Sequence, residues 1–232
     1  AYLVLLVASH GVRAVHGPDV PLAPEQRAIV MPTVGGPGQT RLAFWEWPGD
    51  GPAVLMVHGS PGSGDAQAAV ANELPAAWRV IAPDLPGFGA SSRDIPDYSS
   101  AAHAIYLLAL MDAEGIDRVH LVVHSLGGAV AIEMAARAPE RVASLTMIAA
   151  VGVQELELLG HRDANHALHV LQLAAIQALT WGTPHFGLLD VFPLNVAYAR
   201  NFADTDQRGL RAVLEELELP MRILHGAHDL QV

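Results

Sequence analysis

The chain has 232 residues, of which 51% are hydrophobic and 16% charged, a composition typical of a folded globular protein with one sizeable core. A formal net charge of −11, with only 13 basic residues scattered along the chain, argues against a nucleic-acid partner and against a polyanionic substrate. The sequence has no cysteine, which excludes thiol catalysis, disulfide bonds and cysteine-based zinc sites.

Residues 1–40 form a predicted lead-in to the folded core. Residues 2–8 are apolar but too few to span a bilayer. They are interpreted either as the end of a signal peptide or membrane anchor, which would give membrane association through the N-terminus, or as a strand or buried segment. The stretch that follows is rich in proline and glycine, which predicts irregular chain with a short strand near residues 28–31.

Two strands and a glycine-rich loop come next. Residues 41–47 alternate and favour a strand, a turn follows at 48–52, and residues 53–57 are an apolar strand. The second strand runs into HGSPGSG, residues 58–64, hereafter loop 58–64. It lacks the lysine and the serine or threonine that end a phosphate-binding P-loop. The favoured interpretation is a loop whose small residues let backbone N–H groups approach a substrate oxygen.

The next motif again follows a strand. Residues 66–74 are predicted to be helical and residues 78–82 a strand, which ends in DLPGFGAS, residues 84–91, hereafter loop 84–91. Asp84 is interpreted as holding this loop in place rather than acting in catalysis. Residues 99–111 are a predicted helix with Ser99 or Ser100 as its N-cap, and His103 within it is interpreted as packed or solvated.

A third motif, VHLVVHSLGG at residues 119–128, places a serine on a strand-to-helix turn. Residues 119–123 are a β-prone apolar run, and an alanine-rich helical pattern extends from residue 126 to about 137. Such a turn exposes the hydroxyl of Ser125 next to the backbone N–H of the following residue. A further apolar strand is predicted at 144–151. Alternating strands and helices predict a mostly parallel sheet with helices on both faces, and ligands of such sheets bind at the carboxyl ends of the strands.

Together, the three motifs resemble those of the α/β-hydrolase family, in the family's order. The turn is similar to its G-x-S-x-G nucleophile elbow, with Val123 in place of the first glycine, and HGSPG is similar to its HG-x-P-G oxyanion loop. The resemblance implies that Ser125 is the nucleophile. It also implies that the N–H groups of Ser60 and Leu126 bind the oxyanion, while His58 and Gly59 shape that site.

Residues 152–218 break the alternation and are predicted to be helical and apolar. The resemblance implies a helical cap over the active site that supplies an apolar wall to the substrate pocket; the alternative is a set of helices packed on the sheet. His161, His166 and His169 suggest a metal site, but no matched carboxylate stands at ligand spacing, so neither a metal nor a cofactor is predicted.

The last strand is predicted at residues 221–224 and is followed by HG-x-x-D, which makes Asp229 the acid of the triad by resemblance. The hydrolase core is therefore assigned to residues 41–151 and 219–232. The family order is serine, acid, histidine, yet no histidine follows Asp229. Three explanations stay open: the protein continues past Val232 with a last helix and strand, the base is His58, His124 or His228, or the protein is inactive.

The leading functional hypothesis is a serine hydrolase that cleaves a small, largely apolar ester or related carbonyl substrate through an acyl-enzyme on Ser125. A serine at this position argues against the epoxide hydrolase and haloalkane dehalogenase branches, which use a carboxylate there. Carbon–carbon bond hydrolase, aminopeptidase and perhydrolase chemistry remain open. The alternatives are an inactive binding module with the hydrolase fold, or a fragment of an active enzyme.

Overall fold

A computed structural model describes residues 1–17, 19–152 and 159–229 of the chain. Within them, seven strands form one sheet, in the spatial order β1-β2-β4-β3-β5-β6-β7. The strands are β1 (Arg27–Pro32), β2 (Gln39–Trp47), β3 (Ala53–Val57), β4 (Arg79–Pro83), β5 (Val119–Ser125), β6 (Val142–Ala150) and β7 (Met221–Leu224).

The sheet is antiparallel at one edge and parallel elsewhere. Strand β2 pairs antiparallel with β1 and with β4, whereas every pair from β4 through β3, β5 and β6 to β7 is parallel. A short turn joins β1 to β2, while each parallel connection crosses over the sheet. The carboxyl ends of β3, β4, β5 and β7 therefore lie at one edge, where loop 58–64, loop 84–91, Ser125 and Asp229 follow them.

Two of the described helices begin at a residue whose side chain caps the helix N-terminus. Ser99 caps the helix that follows it, because its side chain accepts the backbone N–H of Ala102 at 3.2 Å, and Asn195 does the same for Tyr198 at 3.0 Å. The helices are α1 (Tyr2–His16), α2 (Ala68–Ala71), which follows a 3₁₀ turn at Gly64–Gln67, α3 (Ser100–Ala113), α4 (Gly127–Arg137), α5 (Arg162–Gly182), α6 (Val196–Asp204) and α7 (Leu210–Glu216).

Both faces of the sheet are buried. Leu55 and Val57 point to the face covered by α3 and α4, where the larger hydrophobic cluster lies. Val54 and Met56, which alternate with them, lie on the other face in a smaller cluster with Ala71 of α2. The prediction of a mostly parallel sheet with helices on both faces is confirmed.

The N-terminal segment is a helix whose apolar residues are exposed. Residues 2–8 belong to helix α1, so the interpretation as a strand or a buried segment is wrong. Leu3, Val7 and Val15 on this helix are 73%, 71% and 80% exposed. The polar side contacts the protein instead: Ser9 is buried and its hydroxyl accepts the N–H of His185 at 2.9 Å. Among the described helices, none is both long and apolar enough to cross a bilayer.

Helices α5 and α6 with their connection, hereafter segment 162–204, are tied to helix α3 by polar contacts. His103 of α3 is fully buried and its Nε2 lies 2.7 Å from the Asn201 side-chain oxygen of α6. The Thr205 hydroxyl, just after α6, accepts the N–H of Ser100 at 3.0 Å. Helix α7 lies elsewhere and packs against α4, with Leu210 in the larger core cluster.

Candidate active site

Ser125 occupies a strained turn between β5 and α4. Its φ is 50°, in the left-handed region that side chains other than glycine rarely adopt. Neighbouring β6 holds this conformation: the Ser125 carbonyl accepts the N–H of Val151 at 2.9 Å, and the strand register shifts between His124 and Ser125. Backbone strain of this kind is found at functional sites, where the surrounding structure maintains it. The turn presents the Ser125 side chain at the carboxyl end of β5.

Close packing around the turn explains both its glycine and its valine. A Cβ on Gly127 would lie 2.7 Å from the carbonyl oxygen of Val57 and 3.3 Å from the Cβ of Val123. Val123 stands where the family motif has its first glycine, and it is buried. The side chain of Val123 has room at this position because Gly127, which lies against it, has no side chain. A valine in place of the motif's first glycine is therefore accommodated by the glycine at the start of helix α4.

Loop 58–64 lies directly against the serine. A Cβ on Gly59 would be 2.7 Å from the Cβ of Ser125 and 3.0 Å from the His124 Nδ1, so only glycine allows this approach. Within the described residues, the backbone N–H groups of Ser60 and Leu126 donate no hydrogen bond. Two free donors thus stand beside one nucleophile, as binding of an oxyanion requires.

His58 holds two loops together. The imidazole is buried; its Nδ1 lies 2.6 Å from the Gly59 carbonyl oxygen, and its Nε2 accepts the N–H of Leu85 at 2.9 Å. Burial lowers the pKa of His58, which keeps the ring neutral with its proton on Nδ1. Because both ring nitrogens are used by backbone groups, His58 is not placed to take a proton from Ser125.

Asp84 fixes the same pair of loops from its buried carboxylate. One oxygen accepts the N–H of Gly64 at 2.6 Å, and the other accepts the N–H of Ala90 at 2.8 Å and the Gln26 amide at 2.9 Å. A carboxylate with several N–H donors is well satisfied without being reactive. Asp84 therefore positions loop 58–64 and loop 84–91, as the sequence indicated.

The predicted acid lies two strands away from the nucleophile. Asp229 follows β7, β7 pairs with β6, and β6 pairs with β5, which ends in Ser125. An Asp229 carboxylate oxygen lies 3.9 Å from the Nε2 of His225. His124 and His228 are exposed. Among the residues that the structure describes, no imidazole is hydrogen-bonded to the Ser125 hydroxyl.

Two cavities of about 360 Å³ each lie between segment 162–204 and the chain that follows β3 and β4. The first is lined by α1, α5, α6 and the chain after loop 84–91. The second is bordered by Gly62 of loop 58–64 and by Phe192 of the helical segment. Arg93 and Asn195 line both cavities. Neither residue belongs to a motif that the sequence analysis singled out, although Arg93 lies only two residues after loop 84–91. Charged and polar side chains line much of the first cavity, whereas apolar side chains, among them Phe88, Val191 and Phe192, line the second.

One histidine of the helical segment packs against an aromatic ring. In the described part of the chain, no group of three or more histidine, aspartate or glutamate residues is arranged to hold a metal ion. His169 instead stacks on Phe202, with ring centroids 4.9 Å apart.

Comparison with known proteins gives consistent results. The family model described as alpha/beta hydrolase fold matches residues 52–189. An uncharacterized protein of Mycobacterium tuberculosis is 41% identical over 105 residues, which cover 45% of this chain and 31% of that protein. A haloalkane dehalogenase of Mesorhizobium japonicum is 34% identical over 131 residues, covering 56% of this chain and 41% of the dehalogenase. The matched region therefore spans less than half the length of these curated relatives.

Among solved structures, the N-acyl homoserine lactonase AidH in complex with N-butanoyl homoserine is similar along most of the chain. The TM-score is 0.60 at 29% identity, with 87% of this chain and 78% of the lactonase covered.

Proposed function

The chain belongs to the alpha/beta hydrolase fold family, and from this premise we propose that it is a serine hydrolase acting on a small, largely apolar ester or related carbonyl substrate. The observation that supports this most is the left-handed backbone of Ser125 at a strand-to-helix turn, in contact with Gly59. Strain at that position is costly, and a role in presenting the hydroxyl accounts for it.

In the proposed reaction, the Ser125 Oγ attacks the substrate carbonyl carbon and loses its proton to a general base. The carbonyl oxygen becomes an oxyanion, which accepts hydrogen bonds from the N–H groups of Ser60 and Leu126. The tetrahedral intermediate then expels the alcohol, which takes up a proton, and an acyl-serine ester remains. Water attacks this ester in the same way, so that the acid is released and the Ser125 hydroxyl is restored.

Asp229 is proposed as the acid that orients the base. The family order of serine, acid and histidine assigns the base to a histidine beyond the acid, and no histidine follows Asp229 in the 232 residues. His58 is committed to backbone groups.

The serine also separates this proposal from the chemistry that one relative's name denotes. The Mesorhizobium japonicum relative is a haloalkane dehalogenase, and that branch resembles this chain in fold but uses a carboxylate as nucleophile. A hydroxyl nucleophile with two oxyanion donors suits attack on a carbonyl carbon, whose oxygen gains charge. We therefore place the chemistry at a carbonyl group rather than at a carbon–halogen bond.

A fluorophosphonate probe tests the proposal, because it reacts covalently with an activated serine. Intact-mass measurement of the full-length protein is expected to show one adduct, which Ser125→Ala abolishes. Ser144→Ala, on the neighbouring strand β6, is the matched control and is expected to label like the wild type. Labelling that survives Ser125→Ala would refute the assignment of the nucleophile.

A second candidate is a binding module that keeps the hydrolase fold without turnover. It is favoured by one observation, that no imidazole among the described residues is hydrogen-bonded to the Ser125 hydroxyl, and a serine without a base is a weak nucleophile. Complete absence of labelling in the full-length protein would support this candidate over the hydrolase.

A further inference from the structure

The two cavities beneath segment 162–204 share two lining residues. Arg93 and Asn195 line both of them. The second cavity also includes Pro61, Gly62 and Ser63, the residues that directly follow the proposed oxyanion donor Ser60. A substrate whose carbonyl group is held at Ser125 and Ser60 can extend past Pro61 into the second cavity, which Arg93 also lines.

The Arg93 guanidinium is bound only by carbonyl groups. Its Nη1 donates to the carbonyl oxygens of Gly87 at 3.2 Å and Asp190 at 3.0 Å. Its Nη2 donates to the carbonyl oxygen of Gly89 at 3.0 Å. A guanidinium has five N–H donors, so two are unused, and the Nε–H is buried without a partner among the described residues. Burial lowers the pKa of Arg93, which means that the surroundings disfavour its charge.

The other arginines of the first cavity form ion pairs with carboxylates, whereas the guanidinium of Arg93 forms none among the described residues. Asp19 and Asp190 are near enough only to offset part of the effect of burial on the pKa of Arg93. Arg13 forms two hydrogen bonds of 2.7 Å with the Asp190 carboxylate, and Arg200 lies 2.6 Å from a carboxylate oxygen of Asp204. Asp19 accepts the backbone N–H of Arg93, not its guanidinium. Three of the chain's 13 basic residues line this one cavity. Asp94 and Asp190 line it as well, and among the described residues Arg93 is the one lining arginine without an ion pair.

We propose that Arg93 binds a carboxylate at the far end of the substrate, so that the preferred substrates are esters whose apolar chain ends in a single anionic group. This rests on the proposed function of Ser125. An unpaired guanidinium in a partly dry cavity is unfavourable by itself, and a carboxylate in the cavity would balance its charge through a charge-assisted hydrogen bond. The preferred substrate is then apolar in the middle of its chain and charged at its far end.

A purely structural role is the competing explanation, because the three carbonyl contacts join loop 84–91 to segment 162–204. The two explanations differ in their dependence on substrate charge. We compare p-nitrophenyl hexanoate with the mono-p-nitrophenyl ester of adipic acid, which has the same chain length but ends in a carboxylate. The variants are Arg93→Met, which keeps much of the side-chain length, Arg93→Lys, which keeps the charge, and the exposed control Arg137→Met.

Arg93→Met is expected to raise KM for the adipate ester by about tenfold or more while changing that for hexanoate by less than about threefold. Arg93→Lys is expected to fall between Arg93→Met and the wild type, and Arg137→Met to match the wild type. Added salt is expected to raise the adipate KM of the wild type more than that of Arg93→Met. Equal losses for both esters, or no loss for either, would overturn the proposal.

Failure of the catalytic proposal can be told apart from failure of this one. If the full-length wild type is neither labelled by the fluorophosphonate nor active on either ester, the proposed nucleophile fails. Calorimetric titration with monomethyl adipate then tests Arg93 without turnover. Binding to the wild type that Arg93→Met abolishes supports the carboxylate site, and no binding to the wild type overturns it.

Discussion

The contact between Gly59 and Ser125 allows a quantitative prediction. A Cβ on residue 59 would lie 2.7 Å from the Cβ of Ser125, whereas ordinary contacts begin at 3.4 Å, so Gly59→Ala must move the two apart by about 0.7 Å. The φ of Gly59 is not in the left-handed region, so the alanine backbone itself is unstrained. Displacements approaching 1 Å between catalytic groups cost roughly 100-fold in rate, and overpacking costs about 1–3 kcal/mol of stability.

Steady-state hydrolysis of a p-nitrophenyl ester measures the rate, and urea unfolding measures the stability. The matched control is Gly209→Ala, because that position has a φ of −87° and no atom within 4 Å of the new Cβ. It is expected to keep wild-type activity. If Gly59→Ala remained within about threefold of the wild-type kcat/KM, loop 58–64 would not be the partner of Ser125, and the oxyanion assignment would fail.

Two further predictions concern stability. Burial lowers the pKa of His103 from 6.5 to about 4. Between these two pH values the imidazole is protonated in the unfolded chain but neutral in the folded protein. The free energy of unfolding is therefore expected to fall by up to roughly 3 kcal/mol as the pH drops from 6.5 to 4. His103→Gln should flatten that dependence in urea unfolding measured across this range, and an unchanged slope would contradict it. Val123→Gly, which restores the family's glycine, is expected to cost roughly 2–4 kcal/mol because it empties a buried position without relieving strain. A variant as stable as the wild type would contradict the packing explanation.

The strands and their carboxyl-end motifs could be predicted because their causes are local. The strand predicted at residues 53–57 matches β3, and glycines are needed where the backbone must approach Ser125 or turn around Asp84. The spacing of these motifs along alternating strands and helices was enough to place them at one edge of the sheet. Helix α2 differs from its prediction: the sequence predicts a nine-residue helix where the structure has a 3₁₀ turn and four α-helical residues.

Features that depend on contacts between distant residues could not be predicted in this way. Arg93 reaches the carbonyl of Asp190, 97 residues away, and Arg13 reaches the side chain of the same aspartate across 177 residues. No local pattern indicates such pairs. The polar side of α1 is recognisable only after its partners in segment 162–204 are known, and so the helix was interpreted from its apolar residues alone.

The acyl-enzyme provides the most direct test of the central claim. The full-length protein is mixed rapidly with a p-nitrophenyl ester, quenched in acid and digested, and its peptides are analysed by mass spectrometry. The account predicts an acyl group on Ser125, formed in a burst of p-nitrophenol no larger than one equivalent. Turnover with the acyl group on another residue, or without any acyl adduct while water oxygen enters a carboxylate side chain, would contradict it.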